Sequence, residues 1–208
     1  MCQTTNFNFT QRVNAYMHNN TQNSRAQAYD ICHKEFEKAI ASNNFDDEYL
    51  ALHLYSFLAT WGMVCRGNYL LKNNYKVLIP VVKVVCDAKY RNLLNIDILD
   101  MNFNRNNYVT LMIELKNNLV HALVGYNAKN KDTMLSKIVL ATLGCVVGYD
   151  VSVKSRLKSL GYAKSFSKKG LIDLISFVNA YKNDILALKT KHANFNYSIM
   201  KICDCALF

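Results

Sequence analysis

Pro80 is the only proline in 208 residues, and glycine occurs seven times. A chain of many short strands needs a turn every few residues, and proline and glycine are the residues that build tight turns at little strain. So few breakers predict long uninterrupted segments, and the segments carry a helical period. From Ser24 to Ala41 the apolar residues Ala28, Tyr29, Cys32, Phe36, Ala39 and Ile40 fall on one helical face, with charge on the other. The expected fold class is all-α: a single multi-helix globular domain, built as one body or two lobes.

Residues 1–22 are polar and Asn-rich and are expected to form an N-terminal arm or a loose first helix, with 23–208 as the helical domain. Within it, 47–71 is apolar on nearly every side, which predicts a helix at the centre of the fold. KNNYKVLIP (72–80) is the one place where a short extended segment is expected, with Pro80 at the first position of the next helix. Further helices are expected over 108–125 and 132–143 and from Asp150 onward. After a basic loop, GYAKSFSKKG (161–170), a long helix is expected through Lys191, and SIMKICDCALF closes the chain.

Seven cysteines, at positions 2, 32, 65, 86, 145, 203 and 205, lie mostly inside apolar helical patterns, and the opening MCQTTNFNFTQR is too polar for a secretory signal. Reduced thiols and a cytoplasmic location follow as expectations. LALHLYSFLATWGMVC (50–65) is interrupted by His53 and stopped by Arg66. It is too short and mixed to span a bilayer and is expected to be core, not membrane.

Charge divides the chain. Residues 1–115 carry 11 Lys/Arg against 10 Asp/Glu, and residues 116–208 carry 14 against 5, so nine of the ten net positive charges lie in the second part. A near-neutral lobe and a basic lobe are expected, the basic one facing a polyanion, DNA or RNA. Its best surface is Lys154, Arg156, Lys158, Lys164, Lys168 and Lys169, interleaved with Tyr162 and Phe166, where cations meet phosphates and an aromatic stacks on a base. The alternative for this run is a plainly solvated face.

Three other stretches carry chemistry. In WGMVCRG (61–67), Arg66 beside Trp61 and two glycines either faces a cleft and a phosphate or pairs with an internal acid. In LSKIVLATLGCVVGYD (135–150), Lys137 and Asp150 flank an apolar segment. Asp150 is then a helix cap, or the two form a base and nucleophile at one mouth, beside a glycine-rich turn suited to phosphate. KNNLVH (116–121) and RVNAYMH (12–18) have the loose shape of a helical ribonuclease motif of the HEPN class, with Lys116 in place of its arginine. No Walker loop, GxGxxG, HExxH or nucleophile elbow occurs, and Cys203, Asp204 and Cys205 lack zinc spacing, so neither a cofactor nor a metal is expected.

LATWGM…RGNYLL (58–71), LSKIVLATLGCVVGYD and YSIMKICD (197–204) together resemble a family of small uncharacterised bacterial proteins. The family's corresponding segments end Gly-Cys-Val-Pro-Ala-Tyr-Asp and read Tyr-Pro-x-Met-Lys-x-x-Asp-Met. This chain has Val147 and Gly148 for Pro-Ala and Ser198 for the second proline. The resemblance implies a bacterial protein and no particular activity. A fainter similarity, to helical DNA glycosylase-like proteins, touches Ser136, Lys137, Asp150 and Asp204.

The leading expectation is thus nucleic-acid binding through the basic second part. A glycosylase- or lyase-like enzyme using Lys137 and Asp150, with Trp61 and Tyr149 lining its pocket, is the second. A protein-interaction module is the third. The oligomeric state is left open.

Overall fold

The computed structural model describes residues 7–65, 69–126 and 131–208. Ten α-helices run through them: α1 (Phe9–Asn19), α2 (Gln27–Ser42), α3 (Asp47–Thr60), α4 (Ile79–Val85), α5 (Arg105–Ala122), α6 (Asp132–Leu143), α7 (Val151–Ser159), α8 (Lys168–Ala180), α9 (Lys182–Lys191) and α10 (Ile199–Leu207). The described residues contain no strand, and none of their helices is long and apolar enough to cross a membrane. Side chains set many of the starts: Asn8, Asp46, Asn104, Asp150, Ser167 and Ser198 each accept from a backbone N–H in the following first turn. The six cysteines among the described residues are unpaired, and all but Cys65 are buried.

The segment read as an arm or a loose first helix is helical from Phe9, and α1 docks against α10 and α9 by burying Phe9, Val13 and Met17, an i, i+4, i+8 stripe. Several expectations are corrected. KNNYKVLIP is not extended: it forms 3-10 turns at Leu70–Lys72 and Tyr75–Leu78, and Pro80 sits in the first turn of α4. The helix expected to reach residue 71 stops at Thr60, because Gly62 takes φ +76°, a left-handed conformation that reverses the chain. The long helix after the basic loop is two, broken at Tyr181.

The centre of the fold is α6, not α3. Every residue from Met134 to Leu143 is buried, whereas α3 shows Tyr49 and Leu52 to solvent. α6 packs against α2, α3, α4 and α5, while α10, also buried along its whole length, packs against α1, α7 and α9. The turn after α6 is the seam between these groups. Ser198 Oγ, at the start of α10, donates to the Gly144 carbonyl, and Asp204 Oδ1 accepts from the Gly148 N–H at 2.8 Å. Gly144 ends α6 at φ +62°, and a Cβ there would lie 2.6 Å from Asn95 Oδ1, so both conformation and space require glycine.

Candidate functional site

Two lysines occur inside the two helices that are apolar all round, and each has found an aspartate. Lys137 on α6 is only 6 % exposed. Its Nζ lies 3.6 Å from Asp150 Oδ2, donates to the Trp61 carbonyl at 3.3 Å and stands 5.3 Å from the centre of the Trp61 ring. The other carboxylate oxygen of Asp150 accepts from the Val153 N–H at 3.0 Å, capping α7. Asp150 is thus the helix cap that one sequence reading gives, and its second oxygen faces Lys137. Ser136 holds the same turn by accepting from the Tyr149 N–H.

Lys201 on α10 is deeper. Its Nζ donates to Asp204 Oδ2 at 3.1 Å and Tyr16 Oη at 3.0 Å, and lies over the rings of Tyr29 (4.4 Å) and Tyr16 (4.6 Å). An ammonium out of water needs both a counter-charge and polar or π partners, and Lys201 has all three. Gly148 sits between the pairs: a Cβ there would meet Lys137 Cγ at 3.4 Å and Asp204 Oδ1 at 3.5 Å.

Burial shifts these groups unequally. It pushes the Lys137 ammonium below the usual lysine value, opposed by Asp150 and Asp204. Burial also opposes charge on Lys201, yet its polar surroundings, Asp204 among them, hold it above that value. The Tyr16 hydroxyl is pushed up to about 12 by burial, against the pull of Lys201. Lys137 is thus the more easily deprotonated of the two, with a carboxylate beside it.

Both pairs border a chamber of about 20 Å³, closed in part by Trp61 and Phe208. That is room for about one water molecule. Trp61 and Phe208 meet edge to face at 5.2 Å, and both also line an outer cleft of about 570 Å³, so they form the wall between chamber and cleft. Arg12, Tyr16 and Arg25 complete the chemically important part of the cleft, and no Asp or Glu among the described residues lines it.

The expected residues divide. Lys137, Asp150 and Trp61 come together, and Lys158, Lys164, Lys168 and Lys169 are exposed as the basic-surface reading requires. Lys154 and Arg156 are committed within the protein: Lys154 Nζ donates to Thr133 Oγ1, and Arg156 donates to the carbonyls of Leu207 and Phe208. Phe166, expected to stack on a base, is fully buried against Tyr149, and Tyr149 in turn is absent from the chamber wall. Lys116 of the ribonuclease-like pattern is taken by Asp132 at 2.7 Å. Arg66 and Gly67 lie outside the described residues.

Sequence reasoning missed Lys201 as the partner of Asp204, although a lysine inside an apolar helix is the signal it used for Lys137, and here the aspartate follows only three residues later. Arg12, Tyr16, Arg25 and Phe208 come from three separate segments and carry no local signal of convergence.

No protein-family model, curated protein or solved structure matches this chain. The functional reading therefore rests on its own residues.

Proposed function

We propose that the protein binds nucleic acid, holding the phosphate backbone with the lysines on and after α7. One observation carries this reading. Lys158, Lys164, Lys168 and Lys169 are exposed and make no ion pair or side-chain hydrogen bond among the described residues, while the two acids that bond the loop before α8 are occupied. Asp173 accepts from the Ala163 N–H, and Asp132 accepts from the Phe166 N–H while pairing with Lys116. These bonds fix the loop that presents the lysines. Lys168 and Lys169 also occupy the first turn of α8, which holds no acid. Cations there oppose the helix dipole, an arrangement that an external anion relieves.

Fluorescence anisotropy with labelled single- and double-stranded DNA and RNA at low salt tests the reading. Saturable binding to at least one of them is expected. No binding to any of the four sinks it.

A second reading has its own observation, the desolvated Lys137 3.6 Å from Asp150. A lysine whose charge burial opposes, with a carboxylate to take its ammonium proton, has the makings of a nucleophile for base excision. The chamber admits no base while Trp61 and Phe208 close it, so this chemistry requires their displacement. Borohydride trapping of a covalent complex with a base-damaged oligonucleotide tests it: trapping lost in Lys137→Ala supports the reading, and no trapping with wild type ends it.

A further inference from the structure

The outer cleft is built for something the lysine surface does not need. Its arginines come from different segments, Arg12 from α1 and Arg25 from the connection before α2, and converge on one concavity with no carboxylate in its described wall. Arg12 donates through Nε to the Ala206 carbonyl and lies 6.0 Å from the centre of the Phe7 ring, and its two terminal nitrogens make no hydrogen bond or ion pair among the described residues. Arg25 is exposed, makes no ion pair among the described residues, and stacks 4.5 Å from the centre of the Trp61 ring. A third guanidinium, Arg156, has its pKa depressed by burial and then by Arg12, with Asp150 opposing both. Like charges gathered in one place repel each other, and a bound anion relieves that repulsion.

The rest of the wall says which anion. Trp61, Tyr16 and Phe208 give it aromatic surface, and the Trp61 indole Nε1 is shielded from solvent without a hydrogen-bond partner among the described residues. Guanidinium forks match the several oxygens of a phosphate, and aromatic faces match a planar ring. At about 570 Å³ the cleft is of the size that takes small organic ligands whole. A simple inorganic anion leaves the aromatic wall unused, and a neutral ring leaves the arginines unpaired.

We propose that this cleft is a nucleotide site: it takes a nucleoside monophosphate, free or as the phosphorylated end of a strand, with phosphate on Arg12 and Arg25 and base against the aromatic wall. The site shares no lining residue with the lysine surface and does not depend on that surface binding nucleic acid.

Trp61 is the only tryptophan, so its fluorescence reports on the cleft directly. AMP, GMP, CMP and UMP, the matching nucleosides, inorganic phosphate, and a short oligonucleotide with or without a 5′-phosphate are titrated against the full chain. At least one monophosphate, or the 5′-phosphorylated oligonucleotide, is expected to change the signal saturably. Its unphosphorylated counterpart and phosphate alone are expected to bind about tenfold more weakly or worse, the loss of a charge-assisted contact. A response to the monophosphate identifies a free nucleotide as ligand, and a response only to the 5′-phosphorylated strand identifies the strand end. Arg25→Ala, an exposed change, is expected to lower affinity by about tenfold or more; Arg12→Ala is expected to do the same if it folds. Equal affinity for phosphorylated and unphosphorylated partners, unchanged affinity in Arg25→Ala, or no response to any phosphorylated probe overturns the proposal. Monophosphate binding by a protein that ignores long oligonucleotides keeps the cleft and removes the lysine-surface reading; strand binding that leaves Trp61 silent does the reverse.

Discussion

Asp150→Asn separates the two jobs of this side chain. An asparagine oxygen accepts from the Val153 N–H as well as a carboxylate does, so the cap of α7 survives. The charge opposite Lys137 does not. The ammonium, with 8 % of its side chain exposed, is left with the Trp61 carbonyl and the more distant Asp204. Removing one partner of a buried pair costs roughly 3–5 kcal/mol. The 3.6 Å separation and the partial exposure of Asp150 place this pair at or below the lower end, about 2–3 kcal/mol. Deprotonation sets a ceiling: neutralising a lysine of ordinary pKa about 10.4 costs roughly 4.6 kcal/mol at pH 7 and roughly 1.9 kcal/mol at pH 9.

The pH dependence follows with its sign. Burial already lowers the folded-state pKa of Lys137 in the wild type, and loss of Asp150 lowers it further. Between that lowered value and the unfolded value the unfolded chain binds more protons, so stability rises with pH through this window. The rise is larger in the variant, and the gap between the two proteins therefore closes from pH 7 to pH 9. Urea unfolding followed by circular dichroism at several pH values measures it. A gap under about 0.5 kcal/mol at pH 7, typical of unremarkable surface changes, or one that widens with pH, refutes the reasoning.

Asp204→Asn leaves Lys201 without its carboxylate at a deeper position and is expected to cost more than Asp150→Asn, about 3–5 kcal/mol by urea unfolding, with Lys201→Met in the same chain recovering much of it. Gly62→Ala and Gly144→Ala both force alanine to positive φ, but none of the described residues lies near a Cβ at Gly62 while one at Gly144 meets Asn95 and His33. Thermal unfolding should show a loss of about 1–2 kcal/mol for the first, the conformational term alone, and a clearly larger one for the second. Replacing Lys168 and Lys169 by glutamate is expected to raise Tm by about 1–3 °C through the dipole of α8, read by calorimetry, while weakening nucleic-acid binding.

Where the chain carries local signals, the sequence was readable. α6 runs from Asp132 to Leu143 as its apolar run and terminal glycine predict, and Asp150 opens α7. The Phe9, Val13 and Met17 stripe was equally local and was hidden by the polarity around it. The break at Tyr181 carries no glycine or proline; Tyr181 packs among Phe7, Phe9 and Phe177, so the interruption belongs to tertiary packing. The candidate site divides the same way. A lysine in an apolar helix announces a buried partner, but not that Trp61, 76 residues earlier, supplies its carbonyl and ring. Burial of Phe166 depends on clamps from Asp132 and Lys116, which no window around residue 166 contains.

The salt dependence of duplex DNA binding, compared between wild type and a variant with Lys164, Lys168 and Lys169 all changed to alanine, tests the central claim most directly. Each phosphate contact contributes about 0.9 to the slope of log affinity against log salt, so the account predicts a steep wild-type slope that flattens by up to about 2.7 in the variant. Parallel slopes for the two proteins, or wild-type binding indifferent to salt, would contradict it.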